Sequence, residues 1–546
     1  MRKVAALTGY LGLSNKDVPR VGQNLRIRMR IYPQTTVDPA DGDGSLFIKR
    51  KSHDKLTLDW TNDSQMGLQL FDWSKSMGQP SGTWTVVAKE KRGYDLGIED
   101  GQILDGDWCD LSILRNGVEI PLARGVVDSC REQTQSAGGA TVRTWMLTGR
   151  DHGAFFEYPI DYQNIWAQTL GELTQGLFTA RVKGKIGGRP DELFRILIKA
   201  AFSTAKLSGQ WELPTSLADM VGGKKRLYDL LDIITLAASK SNAGAGLRGS
   251  YYNEPQLWTS GGQTLHQTLM QWVNPLLNEI WYDLLPPVGF TPENGLGAWF
   301  LSDPDDTDVE VGNQILQLGG MLSGASPKLG GEFGTIAAYI RERPFPSTIE
   351  GDQSLWFDLP EWRIPTWCLQ SVDLGRGGHE RYNLFELLAD LGCMGTTTEQ
   401  APVCPPTWNK LDIRQRGLRI FSQTTRYLAQ LRTGLGDWHR ERSTWQDLLR
   451  DWNAPLPYLR QGTVVCKLLL PEVRIGQKLI LDEGGSELDN ERLYLEGVNL
   501  RWQGPQGPTR PPMGTTSWTL THGFRGTDKG YLDAVKGTVS FFKEIM

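Results

Sequence analysis

A chain of 546 residues and 61.0 kDa has room for about three to four domains, with cores that need neither disulfides nor metals. Its 58 basic and 63 acidic side chains leave a net charge of −5, which excludes the basic bias of a dedicated nucleic-acid binder. Gly (62) and Pro (29) together stay below the roughly 25% of low-complexity chains, which excludes overall disorder and collagen-like repeats.

Trp (20) outnumbers both Phe (17) and Tyr (15), and so heavy a load points to large buried contacts or broad interfaces. Six Cys, at 109, 130, 368, 393, 404 and 466, include no CxxC pair and read as reduced thiols of a cytoplasmically made protein. The apolar run VAALTGYLGL after Met1-Arg2-Lys3 is broken by Thr8, Gly9 and Tyr10, and no small-x-small site follows. It is not read as a secretion signal. No stretch of about 18 apolar residues suggests a membrane span.

Residues 1–76 read as a strand-poor accessory region. Within it LRIRMRIYP (25–33) alternates as a half-exposed strand, DPADGDGS (38–45) is a turn cluster and 46–60 could hold a second strand pair. Residues 77–153 carry a strong β signal. TWTVVAKE (83–90) is one strand. DWCDLSIL (107–114) is followed by Arg115-Asn116-Gly117 and VEIPLARGVVDSC (118–130), a hairpin pattern. A polar loop over 131–140 then leads into the strand TVRTWMLTGRD (141–151).

Residues 154–275 read as mainly helical, from the spacing in 190–205, 224–240 and 264–275. Strands return in 276–380. NEIWYDLLP alternates Ile280, Tyr282 and Leu284 against Glu279, Trp281 and Asp283, and TIAAYIRERPF (335–345) and TWCLQSVDL (366–374) follow. Residues 381–460 form a helical and loop insertion (NLFELLADLG, WQDLLRDW). Residues 461–526 supply closing strands, in 473–482, 492–502 and 515–523. Residues 527–546 form an amphipathic helix with Leu532, Val535, Val539, Phe542 and Met546 on one face.

One echo runs through the chain. Gly125-Val126 precedes Trp145 of TVRTWMLTG, as Gly497-Val498 precedes Trp518 of TTSWTLTHG, at separations of 20 and 21 residues. Chance among common strand residues is one reading. Two related β-barrels, the second split by 381–460, is the other, and the ordered match of three features favours it.

Catalytic constellations are missing. GxSxG, GxxxxGK[ST] and HExxH do not occur. His379-Glu380 reads as a solvated loop, and Cys393 with Cys404 as ordinary thiols without knuckle spacing. DPDDTDVE (303–310) lacks the Gly and terminal Glu of an EF-hand loop. Asp151-His152, the most enzyme-like pair, reads as a strand-end turn. No catalytic, cofactor-binding or metal-binding residue is therefore assigned, and no cofactor is expected.

The stretches DGDWCDLSILRNG, LARGVVDSC, TVRTWMLTGRD, TLHQTLMQWVNPLLNEIWYDL, TWCLQSVDLGRGGHERYN, VRIGQKLIL, RLYLEGVNLRW and TTSWTLTHG, spanning roughly residues 80–525, resemble in their order the baseplate or tail hub proteins of tailed bacteriophages related to late control protein D. The resemblance implies a mixed α+β, multi-domain chain. It would hold two tail-tube-like antiparallel β-barrels, a helical insert domain and a split second barrel. It also implies a non-enzymatic homotrimer whose six barrels adapt a sixfold tail tube to a threefold central spike and line the channel for passing genomic DNA. The implied partners are the tail tube, central spike, distal tail or baseplate wedge and tape measure proteins. The implied place is the tail baseplate of a virion made in the host cytoplasm. Residues 1–76 and the Trp-rich 340–370 fall outside the resemblance. The alternatives are a tail-tip cell-wall hydrolase, hidden in 154–275 or 381–460, and a glycan- or receptor-binding tail protein presenting exposed Trp.

Overall fold

A computed structural model describes residues 26–34, 57–61, 66–90, 103–115, 118–137, 140–157, 198, 213–223, 226–236, 264–272, 275–284, 336–345, 356, 359, 361–365, 368–376, 381–389, 405–425, 445–457, 459–482, 491–504, 513–524 and 539–540. The described chain is mostly β, built around one large, curled, mainly antiparallel sheet of thirteen strands.

The first half of that sheet runs through β1 (Arg26–Tyr32), β2 (Leu58–Thr61), β3 (Met66–Ser76), β4 (Thr83–Glu90), β5 (Trp108–Arg115), β6 (Val118–Ala137) and β7 (Ala140–Asp151). These strands form where β-branched and aromatic residues alternate with polar ones, so that one face can be buried. β5 and β6 meet with Arg115 opposite Val118, which leaves Asn116-Gly117 between them as the alternation predicts. Two expectations are corrected here. Residues 1–76 are not strand-poor, because β1–β3 belong to the large sheet and β3 lies in its middle. Within the polar stretch 131–140, residues 131–137 are strand, not loop. β6 continues to Ala137 and pairs with β7 down to Ala137 opposite Ala140. Backbone pairing, not side-chain hydrophobicity, holds that segment extended.

After a 3-10 turn (His152–Phe156) come α1 (Thr215–Met220), α2 (Leu227–Leu230), β8 (Leu231–Leu236), α3 (Leu265–Trp272), β9 (Asn278–Leu284) and β10 (Ile336–Glu342). Of the helix expected over 224–240, the described residues form one short turn followed by a strand. The run LDIITL is β-branched, and it pairs in parallel with β10. β9 and β10 do not join the second half of the large sheet. They form a separate three-stranded sheet with β8. The expected helix over 264–275 is present as α3. Of the helix expected over 190–205, only residue 198 is described, in helical conformation.

The second half of the large sheet comprises β11 (Glu361–Pro365), β12 (Leu369–Gly375), β16 (Gln461–Cys466), β17 (Lys478–Asp482), β18 (Glu491–Gln503) and β19 (Met513–His522). Between β12 and β16 lie β13 (Leu384–Ala389), β14 (Thr407–Trp408), α4 (Lys410–Arg416), β15 (Ile420–Thr425) and α5 (residues 445–453). Residues 384–389 of NLFELLADLG are therefore a strand where a helix was expected, because β13 finds a parallel partner in β15. In the expected C-terminal helix, the two described residues form β20 (Val539–Ser540), which pairs with β14. The rest of 527–546 lies outside the described residues.

The largest core runs unbroken from Ile27, Trp73 and Trp84 through Trp362 and Leu479 to Trp502 and Trp518. A second core lies between the three-stranded sheet, α1–α3 and the 3-10 turn. A third gathers Phe345, Trp356, Trp445, Trp452, Tyr494 and Phe524.

Candidate functional site

The two halves of the large sheet share one plan. Strands β3, β4, β5, β6 and β7 pair in the spatial order β3-β4-β7-β6-β5. Strands β12, β16, β17, β18 and β19 pair, in the same chain order, as β12-β16-β19-β18-β17. Two irregularities coincide, and a third, between Leu111 and Ser112 of β5 against β6, has no counterpart among the described pairs of β17 and β18. β3 bulges between Leu68 and Leu70 against β4, and β12 between Leu369 and Ser371 against β16. β6 bulges between Val127 and Ser129 against β7, and β18 between Leu495 and Gly497 against β19. Matching the bulges sets Leu68 beside Leu369, Gln69 beside Gln370, Asp72 beside Asp373 and Trp73 beside Leu374. The entry to β5 matches the entry to β17: Gly106 N–H donates to Val127 O and Gly476 N–H to Leu495 O, both at 2.8 Å. Both glycines adopt positive φ (84° and 80°), a conformation only Gly takes at little cost. A β-bulge is one extra residue at a set place, so shared bulges mark equivalence more sharply than shared residue types. The match also moves the sequence echo: Trp145 matches Thr516, and Trp518 matches Leu147.

The halves join through one seam. β18 pairs with β17 up to Tyr494, then changes partner and pairs antiparallel with β3, from Gly497 opposite Ser76 to Gln503 opposite Leu70. The bulge at Glu496 is the branch point, and Glu496 O accepts the Met77 N–H at 2.8 Å. The equivalent segment of β6, beyond its bulge at Asp128, pairs with β7 on one side only. Among the described residues no strand covers its other edge, and Arg131, Glu132, Gln133 and Thr134 are exposed. The strand equivalent to β3 is β12, and it ends the sheet at the opposite side. Gln370, Ser371, Asp373 and Gly375 are exposed there.

Buried charges brace the sheet from below. β9 alternates as the sequence predicts, yet all seven residues are buried because its second face packs on the large sheet. On that face Glu279 accepts from Arg341 (3.0 Å) and from the Tyr494 hydroxyl (2.7 Å), and Arg341 also donates to Gly476 O (2.9 Å) while stacking over Trp281. Arg474 donates to Pro121 O, Leu122 O and Asp283 (2.7, 2.8 and 3.1 Å), tying β6 to β9. Burial and the neighbouring Glu279 hold the Tyr494 hydroxyl well above the ordinary phenol range. At least two buried carboxylates in the chain are thus matched by arginines that bridge layers, an arrangement that fixes geometry.

Asp151-His152 sits where a turn was expected. Asp151 accepts from Lys75 and from Gly153 N–H, and His152 Nε2 lies 3.2 Å from Ala337 O of β10. Desolvation, then the nearby Lys75 charge, push the His152 pKa down to about 3, so it is a neutral ring at neutral pH. This pair bridges the 3-10 turn to the three-stranded sheet. Residues 303–310, His379, Glu380, Cys393 and Cys404 lie outside the described residues. No group of three or more His, Cys, Asp or Glu among the described residues could hold a metal ion, and no described helix is long and apolar enough to cross a membrane. The described Trp side chains are buried, except for half-buried Trp145 and Trp408, so no described Trp forms an exposed platform. Sequence reasoning missed the bridging arginines, whose partners lie as far as 353 residues away in the chain.

No protein-family model and no curated protein sequence matches the chain. Among solved structures it is similar to the 43 kDa tail protein of prophage MuSo2 from Shewanella oneidensis, at 11% identity and a TM-score of 0.42, covering 91% of this chain and 98% of that one. It is similar to the tail protein from Neisseria meningitidis MC58, at 11% identity and a TM-score of 0.40, covering 91% and 97%. It is also similar to a chain of the lidded Francisella PdpA–VgrG complex, at 10% identity and a TM-score of 0.38, covering 95% and 57%.

Proposed function

We propose that the chain is a structural tail hub that assembles into a closed ring of three copies, each contributing two equivalent β units, with no catalysis of its own. The observation that carries this reading is the seam. Within one chain the second unit's β18 is completed by the first unit's β3. Among the described residues, the first unit leaves the matching edge of β6 open, and the second leaves the matching edge of β12 open. A neighbouring copy's β12 on β6 would repeat the seam between chains. Such a contact is heterologous, and a heterologous contact either closes into a ring or grows into a filament. Long open edges are otherwise an aggregation liability.

In this reading a ring of six similar units presents a sixfold face to a tail tube and a threefold face to a spike, with DNA passing through the centre. A net charge of −5 suits a channel that does not retain phosphates. The paired register follows from the seam: Gln133 opposite Asp373, as Arg501 is opposite Asp72, and Arg131 opposite Gly375, as Asn499 is opposite Ser74. Light scattering with negative-stain class averages tests the proposal. A ring of about three times 61.0 kDa, formed alone or on adding tube protein, supports it. A monomer under both conditions defeats it.

A further inference from the structure

Cys368 and Cys466 stand on facing chain segments at the open end of the sheet. Leu369 is opposite Cys466, and the next pair along is joined by Lys467 N–H donating to Cys368 O at 2.8 Å. The Cys368 thiol hydrogen-bonds the Cys466 thiol, and both residues are fully buried in the main core. The matching positions in the first unit are Gly67, opposite Lys89, and Ala88, opposite Leu68, which carry no sulfur. The second unit alone carries two thiols in contact between its outermost strand and the next.

We propose that Cys368 and Cys466 are a latent disulfide, reduced when the chain is made and closed by exchange with a small-molecule disulfide, and that the bond fastens edge strand β12 to β16. The step balances with oxidised glutathione as the oxidant. One cysteine, as thiolate, attacks a glutathione sulfur, the glutathione S–S bond breaks, and one glutathione leaves and takes up the proton. The second cysteine, as thiolate, attacks the protein sulfur of the mixed disulfide and expels the second glutathione. Two protein thiols are oxidised and one glutathione disulfide is reduced to two thiols. The hydrogen bond with Cys466, and then burial, hold the Cys368 thiol protonated, which slows attack. Exchange therefore proceeds through opening of the edge strand, which among the described residues has a strand partner on one side only. Once closed, the bond spans residues 369–465, a long loop, and so constrains the unfolded chain strongly. The clasp stands independently of the ring reading, because it rests on the contact of two thiols within one chain.

The test incubates the full chain, without denaturant, with oxidised glutathione, blocks remaining thiols with N-ethylmaleimide and maps cysteines by mass spectrometry. Half-buried Cys130 reports that the oxidant has acted. The expected result is a linked peptide pair joining residues 368 and 466, two hydrogens lighter than the separate peptides, reversed by dithiothreitol and lost in Cys368→Ser. Protease cleavage within β12 should slow several-fold in the linked form. Recovery of both cysteines as blocked thiols after Cys130 has become a glutathione adduct overturns the proposal. So does a link from either one to a different cysteine.

Discussion

The two five-stranded units follow one plan with their bulk inverted across it. In the first, Trp84 of β4 lies opposite Gly149 of β7. At the matching places of the second, Gly462 of β16 lies opposite Leu520 of β19. A Cβ on Gly149 would come within 2.2 Å of the Trp84 ring, and one on Gly462 within 2.0 Å of Asp373 O. Each unit pairs one large residue with one glycine and places them on opposite strands. The backbone plan is shared, but the two glycines make room for different neighbours: Gly149 for the Trp84 ring and the Val126 carbonyl, Gly462 for the backbone of β12.

The largest effects should come from the cores and braces of these units. Trp518→Ala should cost about 3–5 kcal/mol, whereas Trp145→Ala, at its half-buried place, should cost about 1 kcal/mol. Equal shifts in urea midpoints would break the bulge alignment, which puts the two Trp at different depths. Glu279→Gln should cost about 3–5 kcal/mol, because it leaves Arg341 buried without its counter-charge. The same measurement on Asp447→Asn, whose Arg450 pair is largely exposed on the aspartate side, should show at most about 0.5 kcal/mol. Gly149→Ala should destabilise by about 1–3 kcal/mol through overpacking against Trp84 and the Val126 carbonyl, read as a lowered thermal midpoint. Trp84→Ala in that background should recover little, since the clash with the Val126 carbonyl remains and a cavity is added.

Each unit ends its second hairpin near a buried histidine. Burial lowers His152 to about 3 and His522 to about 4, from 6.5 in the unfolded chain. Both rings are neutral in the fold, so their contribution is fully present above pH 6.5 and is lost as pH falls from there toward 3–4. The unfolded chain binds those protons first. Unfolding free energy should fall by up to about 1.4 kcal/mol per pH unit for each histidine in that window. His152→Gln and His522→Gln should each flatten the slope by a similar amount if the units behave alike.

A smaller effect concerns the open edges. Gln133→Glu would face Asp373 of a neighbour across the proposed seam, whereas Gln133→Arg would reproduce the Arg501 and Asp72 pairing within the chain. Ring dissociation should become a few-fold easier in the first variant and harder in the second, at about 0.2–1 kcal/mol per pair. Unfolding of the monomer should not change, because Gln133 is exposed.

Strands β4, β5, β9, β18 and β19 were legible in the sequence because alternation is local. β13 and β8 were not. NLFELLADLG and LDIITL carry apolar runs compatible with either period, and distant parallel partners decide between them. The shared plan of the two units was legible only as an echo of Trp and Gly, displaced by two residues on the second strand from the alignment that the bulges set. Register depends on bulges that no residue type announces. Asp151-His152 was legible as a turn because an Asp side chain caps the backbone locally. The Glu279, Arg341, Tyr494 and Arg474 braces were not, since each partner looks like an ordinary strand or turn residue until the sheets meet.

The central claim is that β6 of one copy pairs with β12 of the next in the register of the internal seam. Seven strand steps separate β6 from β12 within a chain, on the order of 34 Å along the sheet. The most direct test is oxidation of the double variant Gln133→Cys with Asp373→Cys, followed by non-reducing electrophoresis. The account predicts covalent trimers as the end product, absent from either single variant and from the parent chain. Chains that stay monomeric, or a ladder growing past three, would contradict it.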